Sequence, residues 1–149
     1  MSSRNWLAAL AAIASLTFAS FAAVAQDHSY TDDGPVVSVT YIRTVDGKFD
    51  EYMDWLKTMW KPQQEAAIKA GYVLSYEVIR AEPRSADEPD LLLVTRFKNY
   101  AALDGTLAKF DAIAKQFEGS VKASSEAQYA RSKIRTVLGS STMRVLNLN

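Results

Sequence analysis

The sequence has no cysteine and only one histidine, His28, among its 149 residues. Without cysteine the chain has no disulfide, no thiolate–zinc or iron–sulfur site and no thiol nucleophile. His28 lies in a polar N-terminal stretch, where a surface position is its ordinary interpretation. A loose metal site with the neighbouring aspartates is the alternative, but flexible polar tails usually hold no ion. The sequence therefore predicts no metal and no cofactor.

An excess of charge of one sign is also missing, since 17 basic side chains balance 17 acidic ones. A balanced charge argues against a nucleic-acid partner, because binding to phosphates needs a basic surface. The sequence has no phosphate-binding loop, dinucleotide fingerprint, zinc-type histidine pair or serine elbow. These absences exclude several protein classes, but they leave open whether the protein is an enzyme.

The N-terminus has the pattern of a secretory signal. Arg4 precedes an almost wholly apolar or small run, Trp6–Ala25, which ends in the small-x-small sequence Ala23-Val24-Ala25. The pattern predicts a signal peptide over residues 1–25, and we expect a protein that is periplasmic in a Gram-negative cell and secreted otherwise. An uncleaved membrane anchor is the alternative, but hydroxyl residues dilute the run and no basic stop-transfer cluster follows. After cleavage we expect no contact with the membrane.

The rest of the chain is long enough for one domain. Residues 26–35 are polar and predict a flexible leader. Residues 36–149 alternate strand-like and helix-like spacing of apolar residues. The predicted strands are Val36–Thr44, Tyr72–Ala81, Leu91–Lys98 and Thr142–Leu148. The predicted helices are Phe49–Trp60, Gln63–Ala70 after a break at Pro62, a segment between Asn99 and Gly119, and Ser125–Leu138.

This order, β-α-β-β-α-(α)-β, predicts an α+β fold of the ferredoxin-like type. In that fold a four-stranded antiparallel sheet carries its helices on one face. The strands are nevertheless apolar on both sides, as in Leu91–Val94, so the second face needs a cover. The same face of another copy is the simplest cover, which predicts a homodimer.

Two segments resemble the dimeric α/β-barrel superfamily, in its antibiotic-biosynthesis-monooxygenase-like branch: Val45–Tyr52, which enters the first helix, and Thr95–Leu103, which enters the second. The resemblance implies a pocket between the sheet and the helices of one subunit, in an exported member. A haem-degrading member would have a histidine on the second helix and a tryptophan closing the third strand. This sequence has Phe97 at the strand end and no histidine in Tyr100–Phe117, which argues against haem chemistry.

Five aromatic residues are candidates for one helix-facing pocket: Tyr41, Tyr52, Trp60, Tyr76 and Phe97. Phenol groups inside an apolar cavity suit a small apolar, aromatic or quinone-like ligand. Ordinary core packing is the competing interpretation. The sequence thus predicts a ligand-binding protein, with a cofactor-independent monooxygenase or isomerase acting on an aromatic compound as the alternative. A purely structural partner of another exported protein is a third hypothesis.

Charged residues add one candidate interface. Arg96 shares a strand face with Leu92 and Val94, and a hairpin register brings it near Glu77, so we expect an ion pair at the dimer interface. A ligand carboxylate is the alternative partner for Arg96. The basic residues Arg131, Lys133 and Arg135 are interpreted as a charged, solvated helix face.

Overall fold

The computed structural model describes residues 28–149, so the predicted signal peptide lies outside the described residues. The strands are β1 (Tyr30–Thr31), β2 (Val36–Thr44), β3 (Ser75–Arg80), β4 (Leu91–Phe97), β5 (Arg135–Arg144) and β6 (Asn147–Leu148). The helices are α1 (Phe49–Trp55), α2 (Lys61–Lys69), α3 (Thr106–Glu118) and α4 (Val121–Arg131), with a π-helical segment over Leu56–Trp60 and a 3₁₀ turn over Tyr100–Leu103.

The main sheet has the strand order β3-β4-β2-β5 and is antiparallel throughout. Its central pair sets Val36 opposite Phe97 and Ile42 opposite Leu91. This is the ferredoxin-like arrangement, and it confirms the predicted α+β fold. The short strands β1 and β6 form a separate two-stranded sheet, so the predicted leader contributes a strand.

The helices bury one face of the sheet in two apolar clusters. The first consists of Val36, Ala67, Val73, Phe97 and Ile113. The second consists of Ile42, Tyr52, Leu56 and Leu91. Alternate residues of a strand share a face, so Val36 and Ile42 point to the helices from the two ends of β2. The polar residues Ser38 and Thr40 occupy the same face between them.

The predicted break at Pro62 is present as a change of helix type. The segment Leu56–Trp60 is π-helical, and the Lys61 N–H donates to the carbonyl of Leu56, five residues back. Pro62 is the second residue of α2, which continues directly from the π-helical turn, so its missing N–H removes a donor to a carbonyl of that turn. The π-helical turn thus lies directly before the proline, where the regular hydrogen-bond pattern is interrupted.

The C-terminal boundary between helix and strand was predicted wrongly. Instead of a helix over Ser125–Leu138, α4 ends at Arg131 and β5 begins at Arg135. Its N-cap is Ser120, whose hydroxyl accepts the Ala123 N–H at 3.0 Å. Gly139, interpreted as a helix terminator, instead lies in β5 opposite Tyr41, where the register shifts at a bulge. Glycine suits a bulge as well as a helix end, so the sequence signal was ambiguous.

The sequence predicts Asn99 as the cap of the next helix and a buried stripe of Leu103, Leu107, Phe110, Ala114 and Phe117 along it, and this stripe is partly wrong. The Asn99 side chain caps a short 3₁₀ turn, as expected, by accepting the Ala102 N–H at 3.1 Å. The chain then restarts as α3 after Gly105, which changes the phase of the helix. As a result Leu107 is 78% exposed, whereas Ile113 is buried in the first cluster. In residues 28–149 no helix combines the length and apolarity that a bilayer crossing requires.

Asp90 ties the end of β2 to the start of β4. Its carboxylate accepts the Thr44 N–H, at 3.0 Å to one oxygen, and the Thr44 hydroxyl donates to the other. Thr44 is buried, so removal of the carboxylate leaves a backbone donor without an acceptor.

We expect Asp90→Ala to lower the free energy of unfolding by about 1.5–3 kcal/mol, because hydrogen bonds to a charged acceptor are lost at a buried donor. Urea unfolding measures the change. The control is Asp87→Ala, an exposed carboxylate of the same loop, which should shift stability by less than about 0.5 kcal/mol. Equal stability of the two variants would contradict this account of Asp90.

Candidate functional site

One face of the main sheet carries no helix from residues 28–149, and we call it the open face. Its residues are Val37, Val39, Tyr41, Glu77, Ile79, Leu92, Val94 and Arg96, which the strand registers place on the side opposite Val36 and Ile42. At its centre Val39 stands directly opposite Val94. These two valines are 6% and 4% exposed although they belong to neither helix-side cluster.

The predicted pair between Glu77 and Arg96 is present on the open face. An Nη1 hydrogen of Arg96 donates to Oε1 of Glu77 at 2.7 Å. The two residues are diagonal neighbours, because Arg96 is opposite Ser75 and Glu77 is opposite Val94. Both side chains are partly exposed in the single chain, where such a pair adds little stability. Their role at an interface stays a prediction.

On the helix side, Trp60 and Tyr76 form an aromatic groove. Their rings meet edge to face, with centroids 5.2 Å apart and planes at 87°. The groove has a volume of about 180 Å³. Its walls are mostly apolar, with lysines at the rim: Met53, Leu56, Lys57, Trp60, Lys61, Tyr76 and Val78. We call this the Trp60–Tyr76 groove.

The Tyr76 hydroxyl is held at the edge of this groove by α2. It donates to Oε1 of Glu65 at 3.4 Å, and the Lys61 ammonium pairs with the same oxygen. The hydrogen bond from Lys61 keeps the pKa of the Glu65 carboxyl below its ordinary value. The groove therefore has an apolar floor and a charged, hydrogen-bonding rim.

A second group of aromatic and charged residues lies around α1, α4 and the start of β5. We call it the Tyr52 cluster, and it consists of Tyr52, Trp55, Glu118, Arg131 and Arg135. The Tyr52 and Trp55 rings stack at 5.6 Å with planes 10° apart. The Arg131 guanidinium lies 4.4 Å from the Trp55 ring centre, and the Arg135 guanidinium lies 5.5 Å from that of Tyr52. Each ring thus faces one cation.

Burial changes the titration of this cluster. Desolvation raises the pKa of the Tyr52 phenol, and the nearby positive charges of Arg135 and Arg131 only partly oppose it. Desolvation also lowers the pKa of Arg131, although the Glu118 carboxylate acts in the other direction. At neutral pH Tyr52 is therefore an uncharged phenol beside two guanidinium groups.

The structure brings together two of the five predicted pocket aromatics. Trp60 and Tyr76 share the groove, whereas Tyr52 is buried in the second apolar cluster and Phe97 in the first. Tyr41 lies on the open face, so the expectation that it faces the helices is corrected. Tyr41 alternates with Val37 and Val39 on one face of the strand, but this pattern does not say which face the helices cover.

The residues that sequence analysis missed are Glu118, Arg131 and Arg135. Their expected place on a solvated helix face is wrong for Arg131, whose side chain is 13% exposed and ion-paired with Glu118 at 3.7 Å. No local sequence pattern predicts the burial of these residues, because the aromatic partners of the two arginines come from α1, far away in the sequence. In the part of the chain that the structure describes, no three acidic or histidine side chains converge on a metal site.

We expect Tyr52→Phe to leave stability at pH 7 unchanged or to raise it by about 1 kcal/mol, because the buried hydroxyl has no partner among residues 28–149.

Since burial raises the folded-state pKa of Tyr52 above 10.0, the unfolded chain loses this phenolic proton first as pH rises. Wild-type stability should therefore fall above pH 10, and the fall should be smaller in Tyr52→Phe.

Urea unfolding between pH 7 and 11 measures both effects. The control is Tyr129→Phe, since Tyr129 is an exposed residue of α4 and should leave the pH profile as in wild type. Parallel profiles for wild type and Tyr52→Phe would show that Tyr52 does not titrate differently in the folded state.

Comparison with known proteins adds the fold and nothing finer. No family model matches the sequence, and no curated protein matches it significantly. A solved protein from Shewanella oneidensis is 20% identical with a TM-score of 0.51, covering 79% of this chain and 98% of its own. HapK from Hahella chejuensis is 16% identical with a TM-score of 0.49, and the match covers 72% of this chain and 90% of HapK. A dimeric ferredoxin-like protein from an uncultured marine organism is 11% identical with a TM-score of 0.47, and the match covers 74% of this chain and 95% of that protein. This chain has the ferredoxin-like fold.

Proposed function

We propose that the protein is an exported homodimer of the dimeric α/β-barrel type that binds a small aromatic ligand in the Trp60–Tyr76 groove. The observation that carries the binding proposal is the groove itself, an apolar recess with two aromatic rings and a polar rim. Pockets with mainly apolar walls and a few polar groups at one end are typical small-molecule sites. The export part rests on the sequence of residues 1–25.

The dimensions of the groove fit a single aromatic ring. Its volume is about 180 Å³, and an engineered apolar cavity of about 150 Å³ in another protein accepts benzene. A ring seated against Trp60 would bury apolar area and make an aromatic contact of the kind that Tyr76 already makes. A hydroxyl on that ring would reach the rim, where Lys57, Lys61 and the Tyr76 hydroxyl lie. The groove therefore favours a phenol-like ligand.

The open face supports a two-fold dimer. Ile79 and Met143 give this face exposed apolar area, at 43% and 45% exposure, and the Glu77–Arg96 pair lies on the same face. A two-fold axis sets the same patch against itself, so the cation of one copy can meet the anion of the other. The face is thus complementary to itself in both apolar area and charge.

We expect Ile79→Asp to weaken the dimer by at least about tenfold, because the axis would place two unpaired carboxylates in an apolar interface. Ile79 is 43% exposed in the single chain, so the variant should still fold. Sedimentation velocity over a range of protein concentrations measures the dissociation. The matched control is Leu107→Asp, the same change at an exposed apolar residue of α3, which should stay dimeric. A wild-type protein that sediments as a monomer at micromolar concentration would refute the dimer.

We expect the wild-type protein to bind 4-methylphenol saturably, and Trp60→Ala to weaken this binding by about tenfold because an aromatic wall is lost. Tyr76→Phe keeps the ring and should have a smaller effect. Calorimetry measures the affinities, with Tyr129→Ala on α4 as an exposed aromatic control. Unsaturable binding to wild type, or equal binding by Trp60→Ala, would exclude the groove as the ligand site.

A further inference from the structure

The main sheet has two free edges, because β3 and β5 each pair with only one strand among residues 28–149. β3 exposes apolar side chains on both of its faces, with Val78 at 36% and Ile79 at 43% exposure. Most residues of β5 are exposed as well, among them Val137 at 48%. A free edge of this kind is a template for pairing with another strand, so both edges call for a cover.

The unpaired backbone groups of β3 belong to residues that line the Trp60–Tyr76 groove. The Ala81 N–H donates to the Asp90 carbonyl at 2.8 Å, directly beyond the last pair of the β3–β4 ladder. Hydrogen-bonded and non-hydrogen-bonded pairs alternate along antiparallel strands. The N–H and C=O groups of Tyr76 and Val78 therefore point away from β4, while the side chains of the same two residues form a wall of the groove.

The free edge of β5 has the same arrangement. The Val145 N–H donates to the Pro35 carbonyl at 3.0 Å, directly beyond the last pair of the β2–β5 ladder. By the same alternation, the backbone groups of Ser140 and Thr142 point away from β2. Their side chains lie on the helix side of the sheet, because they stand opposite residues of β2 that share the face of Val36.

The two edges fit each other in a two-fold dimer. β3 and β5 run in opposite directions, since three antiparallel pairings separate them. When the open faces of two copies stack about an axis parallel to the strands, the β3 edge of each copy meets the β5 edge of the other. The free groups on both edges belong to residues with helix-side side chains, so the edges join with every side chain on its own face. This pairing removes both free edges at once.

We propose that β3 pairs with β5 of a second copy, so that the Trp60–Tyr76 groove is a ligand site shared between two chains. The proposal rests on the proposed dimer and groove, and it adds the missing wall. No strand of residues 28–149 lies beyond β3, so the single chain leaves the groove without a wall on that side. A strand paired there sets its helix-side residues opposite Tyr76 and Val78. Ser140 and Thr142 of the second copy then bring hydroxyl groups to a bound phenol.

Introduced cysteines report the pairing directly, because the chain has none of its own. We expect the double variant Val78→Cys/Ser140→Cys, treated with bismaleimidoethane, to run as a covalent dimer on a denaturing gel. Each single variant should run as a monomer, because it would cross-link only if like edges met across the dimer. The matched control is Leu107→Cys/Ser140→Cys, in which the exposed Leu107 of α3 replaces the edge position, and it should also run as a monomer.

Binding of 4-methylphenol tests whether the groove is shared. We expect Ser140→Arg to weaken this binding by about tenfold, because it sets a charged side chain against an apolar groove. Thr142→Arg is the second variant for the same test, and circular dichroism and sedimentation establish that each is folded and dimeric. After subunit exchange, an equal mixture of Ser140→Arg and Trp60→Ala should regain about a quarter of the wild-type sites, because each mixed dimer has one groove that carries neither change.

The outcomes separate this proposal from the proposed function. A covalent dimer from either single-cysteine variant, or none from Val78→Cys/Ser140→Cys, overturns the pairing of β3 with β5. Wild-type affinity in both arginine variants, or no recovery in the mixture, overturns the shared site and leaves the groove as a site within one chain. Failure of the wild-type protein to bind 4-methylphenol contradicts the proposed function and, with it, the shared site.

Discussion

A four-stranded sheet has two faces, and the helices of residues 28–149 cover one of them. The other face leaves apolar side chains in contact with water, among them Ile79 at 43% and Met143 at 45% exposure. Apolar area left in water costs free energy in proportion to its size, so a fold with one helix layer favours association through its open face. The proposed homodimer follows from this constraint, and Glu77 and Arg96 would set its register more than its strength.

The helix α1 and the π-helical segment after it present aromatic residues on two sides. Met53, Leu56 and Trp60 point toward β3 and form the apolar groove with Tyr76. Trp55 instead faces α4, where Arg131 covers its ring. The π-helical segment Leu56–Trp60 carries Leu56 and Trp60 into the groove, and α2 begins at Lys61. Such segments often occur at functional sites, which agrees with the position of the groove.

The groove and the Tyr52 cluster differ in their chemistry. The groove offers apolar walls with a weakly hydrogen-bonding rim, so it discriminates by shape and aromatic contact. The Tyr52 cluster combines two guanidinium groups with the carboxylates of Glu118 and Asp90 around a buried phenol. The neutral phenol of Tyr52 adds a donor without adding charge, because burial raises its pKa.

The sequence determined the order of the main-sheet strands and their helices, the bounds of β2 and nearly those of β4. It also determined the opposite placement of Val39 and Ile42, because period-two alternation is a local property. It did not determine where α4 gives way to β5, since Gly139 serves a bulge as readily as a helix end. The facing of Tyr41 and the burial of Arg131 were decided by the tertiary structure alone. Both depend on which elements pack together across long stretches of chain, and a local pattern contains no record of that choice.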